Sequence, residues 1–434
     1  MKTILKSSHL VVTLLSLYFF TGCKKEDDNG NGTASGLSPD ADNGGITLPA
    51  GFGGITVKAE TGAARHLAVN SNGDVYVKLS ELKNGSGIVV LKDSNNDGRA
   101  DTQTSFGDFA GTGIAIKDGY LYASSDDEIF RYHFNTSNVI ENPASPEKIV
   151  TGLTKGVQHS SKSITLDNQQ NIYVNVGAPS NACQEQDRTP GSPGQDPCPL
   201  LATAGGIWRF SAGQLNQTQA QGTRYATGLR NVVGLDWNSS VNNLYVMQHG
   251  RDQLSFLFPE LFTDSMSAEL PSEEFLRVTE GKDFGWPYCY YDHMQNKKLL
   301  APEYGGDGQI TGRCEGIEKP IVAFPGHWAP NALLFYTGNQ FPAKYRNGAF
   351  IAFHGSWNRA PLRQGGYFVA FVPMNNGVPS GNWEVFAEGF TGVDVLNDPE
   401  QAQHRPMGLA QGPDGSLYIS DSKKGKIWRI IYKG

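Results

Sequence analysis

A strand–turn–strand unit recurs along this chain, and that recurrence constrains the fold more than any other feature. Leu67-Ala-Val-Asn-Ser-Asn-Gly-Asp-Val-Tyr-Val77 returns as Leu409-Ala-Gln-Gly-Pro-Asp-Gly-Ser-Leu-Tyr-Ile419, with looser copies at 164–174 and 235–246. Copies end near Tyr76, Tyr122, Tyr173, Tyr245 and Tyr418, and Gly348-Ala-Phe-Ile-Ala-Phe353 reads as a further one. Each unit alternates apolar and polar residues around a Gly-containing turn, and helical periodicity is scarce after residue 49. One such unit has no way to bury its own apolar face, so copies must stack. Six units predict an all-β, six-bladed β-propeller. Ile55-Thr-Val-Lys58 is expected to close the ring by pairing with the last blade, which hides an open edge.

Stacking around an axis gives the repeat a chemical consequence. Equivalent positions of every blade meet at one place, and the residues at strand entries are polar. They include Arg65-His66, His159-Ser-Ser-Lys162, Arg230-Asn231 and His404-Arg405. His159 suits a general base, because imidazole titrates near neutrality. Arg230 offers a planar fork for a carboxylate or a developing oxyanion. His354-Gly-Ser-Trp-Asn-Arg359 places a stacking surface (Trp357) beside hydrogen-bonding groups (Asn358, Arg359), a set that fits a planar acidic ligand. His327-Trp-Ala-Pro-Asn331 and Arg405 are further contributors.

The ends and insertions set the context. Lys2 and Lys6 precede an apolar run, and Phe20-Thr-Gly-Cys23 resembles a bacterial lipoprotein cleavage box. The expectation is a signal peptide over 1–22, lipidation of Cys23, a flexible tether over 23–48 and a single propeller domain over 49–434. The chain would then be anchored by lipid to the outer membrane, on its periplasmic or cell-surface face. Four cysteines remain, with three possible connectivities. Local pairing, Cys183–Cys198 and Cys289–Cys314, is expected because each pair brackets a Gly/Pro-rich insertion. Long insertions over 178–205 and 249–345 are expected to shape a cleft. Asp93, Asn95, Asp97 and Asp101 carry much of a calcium-loop spacing, though Thr104 stands where the final Glu belongs. A net charge of −7 with no basic run disfavours nucleic acid as a partner.

Beyond these readings, the chain resembles the glucose/sorbosone dehydrogenase family, nearest its sorbosone and pyranose dehydrogenase branch. The carrying residues are Ala64-Arg65-His66, His159-Ser-Ser-Lys-Ser163, Gly228-Leu-Arg-Asn231, Asp283-Phe-Gly-Trp-Pro287, Phe341-Pro-Ala-Lys-Tyr-Arg346 and Phe353-His-Gly-Ser-Trp-Asn-Arg359. The resemblance implies a propeller that binds pyrroloquinoline quinone (PQQ) and Ca²⁺ on its axis. It implies that His159 takes the proton of the sugar's anomeric hydroxyl and that Arg230 stabilises charge on the quinone. It implies calcium held by backbone at Gly250 and Arg251, acting as a Lewis acid. Asn231, His327, His354, Asn358, Arg359 and Arg405 match positions around the cofactor, and Arg65 joins them. Gln158, Val232, Asn358 and Met407 depart from the glucose dehydrogenase pattern, which points away from glucose itself.

The expected activity is therefore oxidation of an aldose or sorbosone-type sugar, with electrons passed to an external cytochrome or quinone. A non-catalytic surface propeller that binds glycans or protein partners is the rival reading. A propeller hydrolase would want a carboxylate cluster around an axial metal, whereas these axial positions are His, Arg and Asn.

Overall fold

The computed structural model describes residues 36–434; the proposed signal peptide and Cys23 lie outside the described residues. Six four-stranded antiparallel blades form the ring. Their innermost strands are Ala64–Val69, Ile114–Lys117, Ile164–Leu166, Val232–Asn238, Pro330–Phe335 and Pro406–Gln411 for blades 1 to 6. Two blades gain a short parallel fifth strand: Gln217–Thr218 on blade 2 and Lys282–Asp283 on blade 3. Phe52–Lys58 pairs antiparallel with Ile427–Tyr432, so the ring closes as the sequence predicts.

The tyrosines explain why the repeat stacks. Tyr76 packs into a core shared with Leu121 and Ala123 of blade 2, and Tyr122 into one shared with Ile164 and Val174 of blade 3. Tyr173 faces Leu235 and Val246 of blade 4, Tyr245 faces Ile351 and Phe353 of blade 5, and Tyr418 faces Val77 and Leu79 of blade 1. In blade 5 the position is taken by Phe350, which packs against Ile419 and Trp428 of blade 6. Each second strand thus completes the core of the following blade, and every interface buries apolar area that an isolated unit would expose.

Near the axis, backbone meets backbone, and three glycines make this possible. A Cβ at Gly113 would lie 2.5 Å from the Lys162 carbonyl oxygen, at Gly234 2.9 Å from the Ala332 carbonyl carbon, and at Gly408 2.7 Å from the Arg65 carbonyl oxygen. These contacts fall at the junctions of blades 2 and 3, 4 and 5, and 6 and 1.

Two expectations need correction. The segment 36–48 is not a free tether. Asp40 accepts from the Thr56 amide and pairs with Arg99, Trp428 donates to the Gly44 carbonyl, Thr47 bridges to Glu388, and Ile46 is buried in the blade 5–6 core. Its Gly/Asn/Asp composition serves tight turns rather than flexibility. Nor is 249–345 one insertion. It contains two strands of blade 4, Glu273–Val278 and Val322–Phe324, and the first strand of blade 5. The true excursions are 249–272 and 279–321. Both local disulfides are present, Cys183–Cys198 and Cys289–Cys314. The excursions are also stitched together: Arg313 pairs with Asp196, and the Tyr288 hydroxyl accepts from the Cys198 amide.

Gly234→Ala should destabilise the protein by about 1–3 kcal/mol, because neither backbone at the axial junction can yield freely. Gly213→Ala is the control, since its added carbon meets nothing closer than 3.8 Å. Guanidinium unfolding midpoints of both variants check this, and equal midpoints would contradict the packing account.

Candidate functional site

The inner-strand entries of blades 3, 4 and 5 meet around a cavity of about 300 Å³. From the sequence-predicted set, His159, Arg230, Asn231, His327, Trp357 and Asn358 line it, with Gly250 in the wall. His159 enters in a left-handed conformation (φ +54°), as do His327 (+68°) and Ala329 (+55°). Such conformations cost free energy in non-glycine residues, and their concentration around one cavity marks it as functional. The wall beside His159 is thinned by Gly177, where a Cβ would stand 2.7 Å from the His159 Cβ and 3.1 Å from Asn231 Oδ1.

His159 has a defined tautomer. Its Nδ1 donates to the Ala178 carbonyl at 2.6 Å, which leaves Nε2 as an unprotonated acceptor. Burial, with the Arg230 guanidinium adding to it, pushes the imidazole down to about 3. The ring is therefore neutral, and basic at Nε2, throughout the neutral range.

Arg230 is buried, with four of its five N–H donors engaged. It donates to the Asn181 carbonyl (3.1 Å), Asn181 Oδ1 (3.0 Å), the Gly250 carbonyl (2.8 Å) and Asp252 Oδ2 (2.9 Å). Behind it, Gln248 accepts from the Arg230 amide and donates to Glu274, which is ion-paired with the buried Lys298. This second layer fixes the Arg230 backbone from which the guanidinium is presented.

Asp252 is the hub, and the sequence reading missed it. One oxygen accepts from both Arg230 and Arg188, while the other accepts from Asn358 Nδ2 at 3.0 Å and lies 3.6 Å from His327 Nδ1. Burial alone would raise its pKa, but Arg230, His327 and Arg188 hold the carboxyl well below the usual range. Burial would lower His327, yet Asp252 overcomes this and raises it above its ordinary value. Also missed were His249, pushed down to about 4 by burial, and Glu273, pushed up to about 7 by burial although it accepts from the Gly250 and Ala329 amides. His249 and Asp252 flank the Gly250-Arg251 pair at the end of a blade 4 strand. That phase matches the strand-end clusters already singled out and could have found them. Arg188 sits in an insertion with no periodic signal.

Other predicted residues lie elsewhere. Arg359 is anchored to the Ala268 and Gly326 carbonyls and to Glu269, outside this cavity. Arg405 donates to the carbonyls of His354 and Gly355, and His354 Nε2 meets Ser422 Oγ at 2.7 Å. Together they brace the turn that presents Trp357 and Asn358 rather than lining the cavity themselves. Arg65 donates to Thr112 and Ser161 nearer the axis. The Arg251 side chain is buried against Glu303. In the 93–101 loop, Asp93 and Asp101 accept from the loop's own amides, and among the described residues no three His, Cys, Asp or Glu gather to hold a metal. The carboxylates of the expected second calcium loop thus hold an Asx-stabilised turn in the metal-free chain.

The cavity suits an anionic, planar guest. It offers the Arg230 guanidinium and the Asn231 amide, with a half-exposed Trp357 (58%) on the rim for stacking. One polar atom is left over: Asn358 Oδ1 is buried without a partner, and its amide has no freedom to flip because Nδ2 donates to Asp252.

Residues 46–433 match the profile of the TrAA12-like family. The chain is 22% identical to a pyrroloquinoline quinone-dependent sugar dehydrogenase of Hypocrea jecorina, over 97% of this chain and 96% of the relative. In structure it resembles a Trichoderma reesei family AA12 carbohydrate-active enzyme solved with calcium (TM-score 0.72, 18% identity, 89% of this chain and 97% of that one). It also resembles the holo PQQ domain of Coprinopsis cinerea pyranose dehydrogenase (TM-score 0.69, 19% identity, 91% and 98%). At such identities these likenesses show the shared fold.

In the cofactor-free protein the His159 imidazole should stay neutral, with its proton on Nδ1, as pH falls from 8 to 5. A depressed pKa keeps the neutral form present until the pH nears the folded value. Nitrogen-15 histidine spectra, assigned through His159→Gln, test this; a midpoint near the ordinary 6.5 would contradict the Ala178 tether and the desolvated setting.

Proposed function

The chain belongs to the TrAA12-like family, and we propose that it is a PQQ-dependent dehydrogenase of an aldose or sorbosone-type sugar. The observation that carries this reading is the His159 geometry. An imidazole with Nδ1 tied to Ala178 and Nε2 free stands in the same cavity as the buried Arg230–Asp252 pair. Bound there, the quinone supplies a two-electron acceptor for the hydride leaving the sugar carbon.

The chain's own residues do the rest. His159 Nε2 accepts the proton of the anomeric hydroxyl as that carbon is oxidised. Arg230, fixed by four acceptors, is a preorganised cation that needs no rearrangement as negative charge develops. Asp252 keeps Arg230 oriented and, through Asn358 Nδ2, fixes which face of that amide meets the guest. Trp357 provides a surface on which a sugar ring or the cofactor plane stacks. A calcium ion is part of the proposal: the Gly250 carbonyl, the Glu273 carboxylate and the unpartnered Asn358 Oδ1 are hard oxygen donors of the kind it prefers. Electrons then pass to an external acceptor such as a cytochrome or quinone. The Phe20-Thr-Gly-Cys23 box supports lipid anchoring at the outer membrane, and the two disulfides suit an exported chain. Cys23→Ser should abolish labelling by a palmitate analogue in cells and leave the protein in the soluble fraction.

Titration of PQQ and Ca²⁺ into the purified protein, with dye-linked turnover on a panel of aldoses and sorbosone, tests the activity. Saturable activity is expected, and His159→Ala should lower kcat by roughly 10²–10⁴-fold, the usual contribution of a positioned base. Folded protein that takes up no quinone would overturn the reading in favour of a glycan-binding propeller.

A further inference from the structure

Arg188 belongs to no blade. It lies in the loop closed by Cys183–Cys198 and adopts a left-handed backbone (φ +56°). Its guanidinium reaches three side chains on two separate segments. Nε and Nη2 donate to Gln158 Oε1 (3.2 and 2.9 Å), Nη1 to Gln253 Oε1 (2.9 Å), and Nη2 to Asp252 Oδ2 (2.9 Å). The side chain therefore runs from the segment carrying His159 to the loop carrying Asp252, and about a quarter of it (26%) remains in contact with solvent. It forms a bar over the cavity rather than part of its floor.

The bar is rigid. A planar fork held by several acceptors loses little freedom when it binds. Its loop is anchored too: Asn181 Nδ2 donates to the Asp252 carbonyl, the Tyr304 hydroxyl to the Ala182 carbonyl, and Ser180 Oγ to Asp187. Gln158 is held from both sides, since its Nε2 donates to Asp187 at 2.7 Å. Arg230 does not depend on this bar, because it keeps the Asn181 and Gly250 acceptors without it.

We propose that Arg188 is a specificity-determining strap that limits the cavity to a single sugar ring and excludes sugars bearing a second ring. The inference rests on the dehydrogenase reading and goes beyond it in naming the size class of the substrate. Arg188 lines the cavity that holds His159 and is fixed across it, so a glycosidic extension has to displace Arg188 from Asp252 and leave that carboxylate with one cation fewer. Discrimination built on unpairing a buried polar group is far stronger than discrimination by shape alone.

Glucose and maltose share a reducing-end ring and serve as the probes. In protein reconstituted with PQQ and Ca²⁺, Arg188→Ala should raise the maltose-to-glucose ratio of kcat/KM by about tenfold or more, the range that pocket contacts command. Arg188→Met, which keeps length but loses the fork, should raise it less and guards against a variant that merely fails to fold. Calorimetric binding of the two sugars to the cofactor-free chain should show the same change in ratio. Equal losses on both sugars, or an unchanged ratio in folded variants with normal quinone uptake, would overturn the strap. If the unsubstituted protein takes up no quinone, the dehydrogenase reading fails, while the binding ratio still decides the strap.

Discussion

Ring closure is the constraint on which everything else depends. Phe52–Lys58 pairs with Ile427–Tyr432 from the other end of the domain, and without it the sixth blade would carry an open edge and the first would lack its neighbour. Every second-strand aromatic faces the following blade, so no blade has a complete core until the circle is complete. The segment 36–48 reinforces the same closure through Asp40, Gly44 and Thr47. A chain of weak repeats thereby becomes one cooperative unit.

Closure also creates the site. Once the strand entries of blades 3, 4 and 5 are fixed, His159, Arg230 and His327 have no choice but to converge. The blades alone, however, would set cations and imidazoles against one another. Asp252 resolves this by accepting from two guanidiniums and one amide, with the His327 imidazole 3.6 Å away. That carboxylate, held well below the usual range, raises His327 above its ordinary value, while burial pushes His159 down to about 3. Two imidazoles in one cavity are thus shifted in opposite directions.

Much of this was legible in the sequence, for identifiable reasons. Blade number, ring closure and the local disulfides follow from period-two alternation, tyrosine spacing and loop composition, all of which are local signals. His159, Arg230, Asn231, His327, Trp357 and Asn358 could be read because strand-end phase projects them inward. Arg359 and Arg405 share that phase, but nearby carbonyls and Glu269 capture their guanidiniums, and phase carries no information about competing acceptors. Asp252 stayed hidden although it follows the strand end at Gln248, and Glu273 because a single carboxylate at the start of a strand carries no motif. The tether misreading has a related origin: Gly, Asn and Asp are as frequent in tight turns as in flexible linkers, and only the partners of Asp40 and Gly44 distinguish the two.

The division of labour between blades and excursions has a functional consequence. The repeat supplies the base, the buried guanidinium and the stacking turn, each seated on strand ends where displacement is costly. The excursions supply Arg188, in the loop closed by Cys183–Cys198, and Asp252, whose backbone is tied to Asn181 of that loop. A loop can change length or sequence without disturbing the ring, because its anchors are covalent and local. On the proposed reading, the groups assigned to the chemistry are therefore tied to the fold, and the group assigned to substrate choice is tied to a loop that can vary. The contact between Arg188 and Asp252 is where the two meet. Its oxygen is shared with Arg230, so any substrate that pulls Arg188 away alters the electrostatic setting of the cation beside the base. The proposed strap and the proposed catalytic cation thus share one carboxylate oxygen.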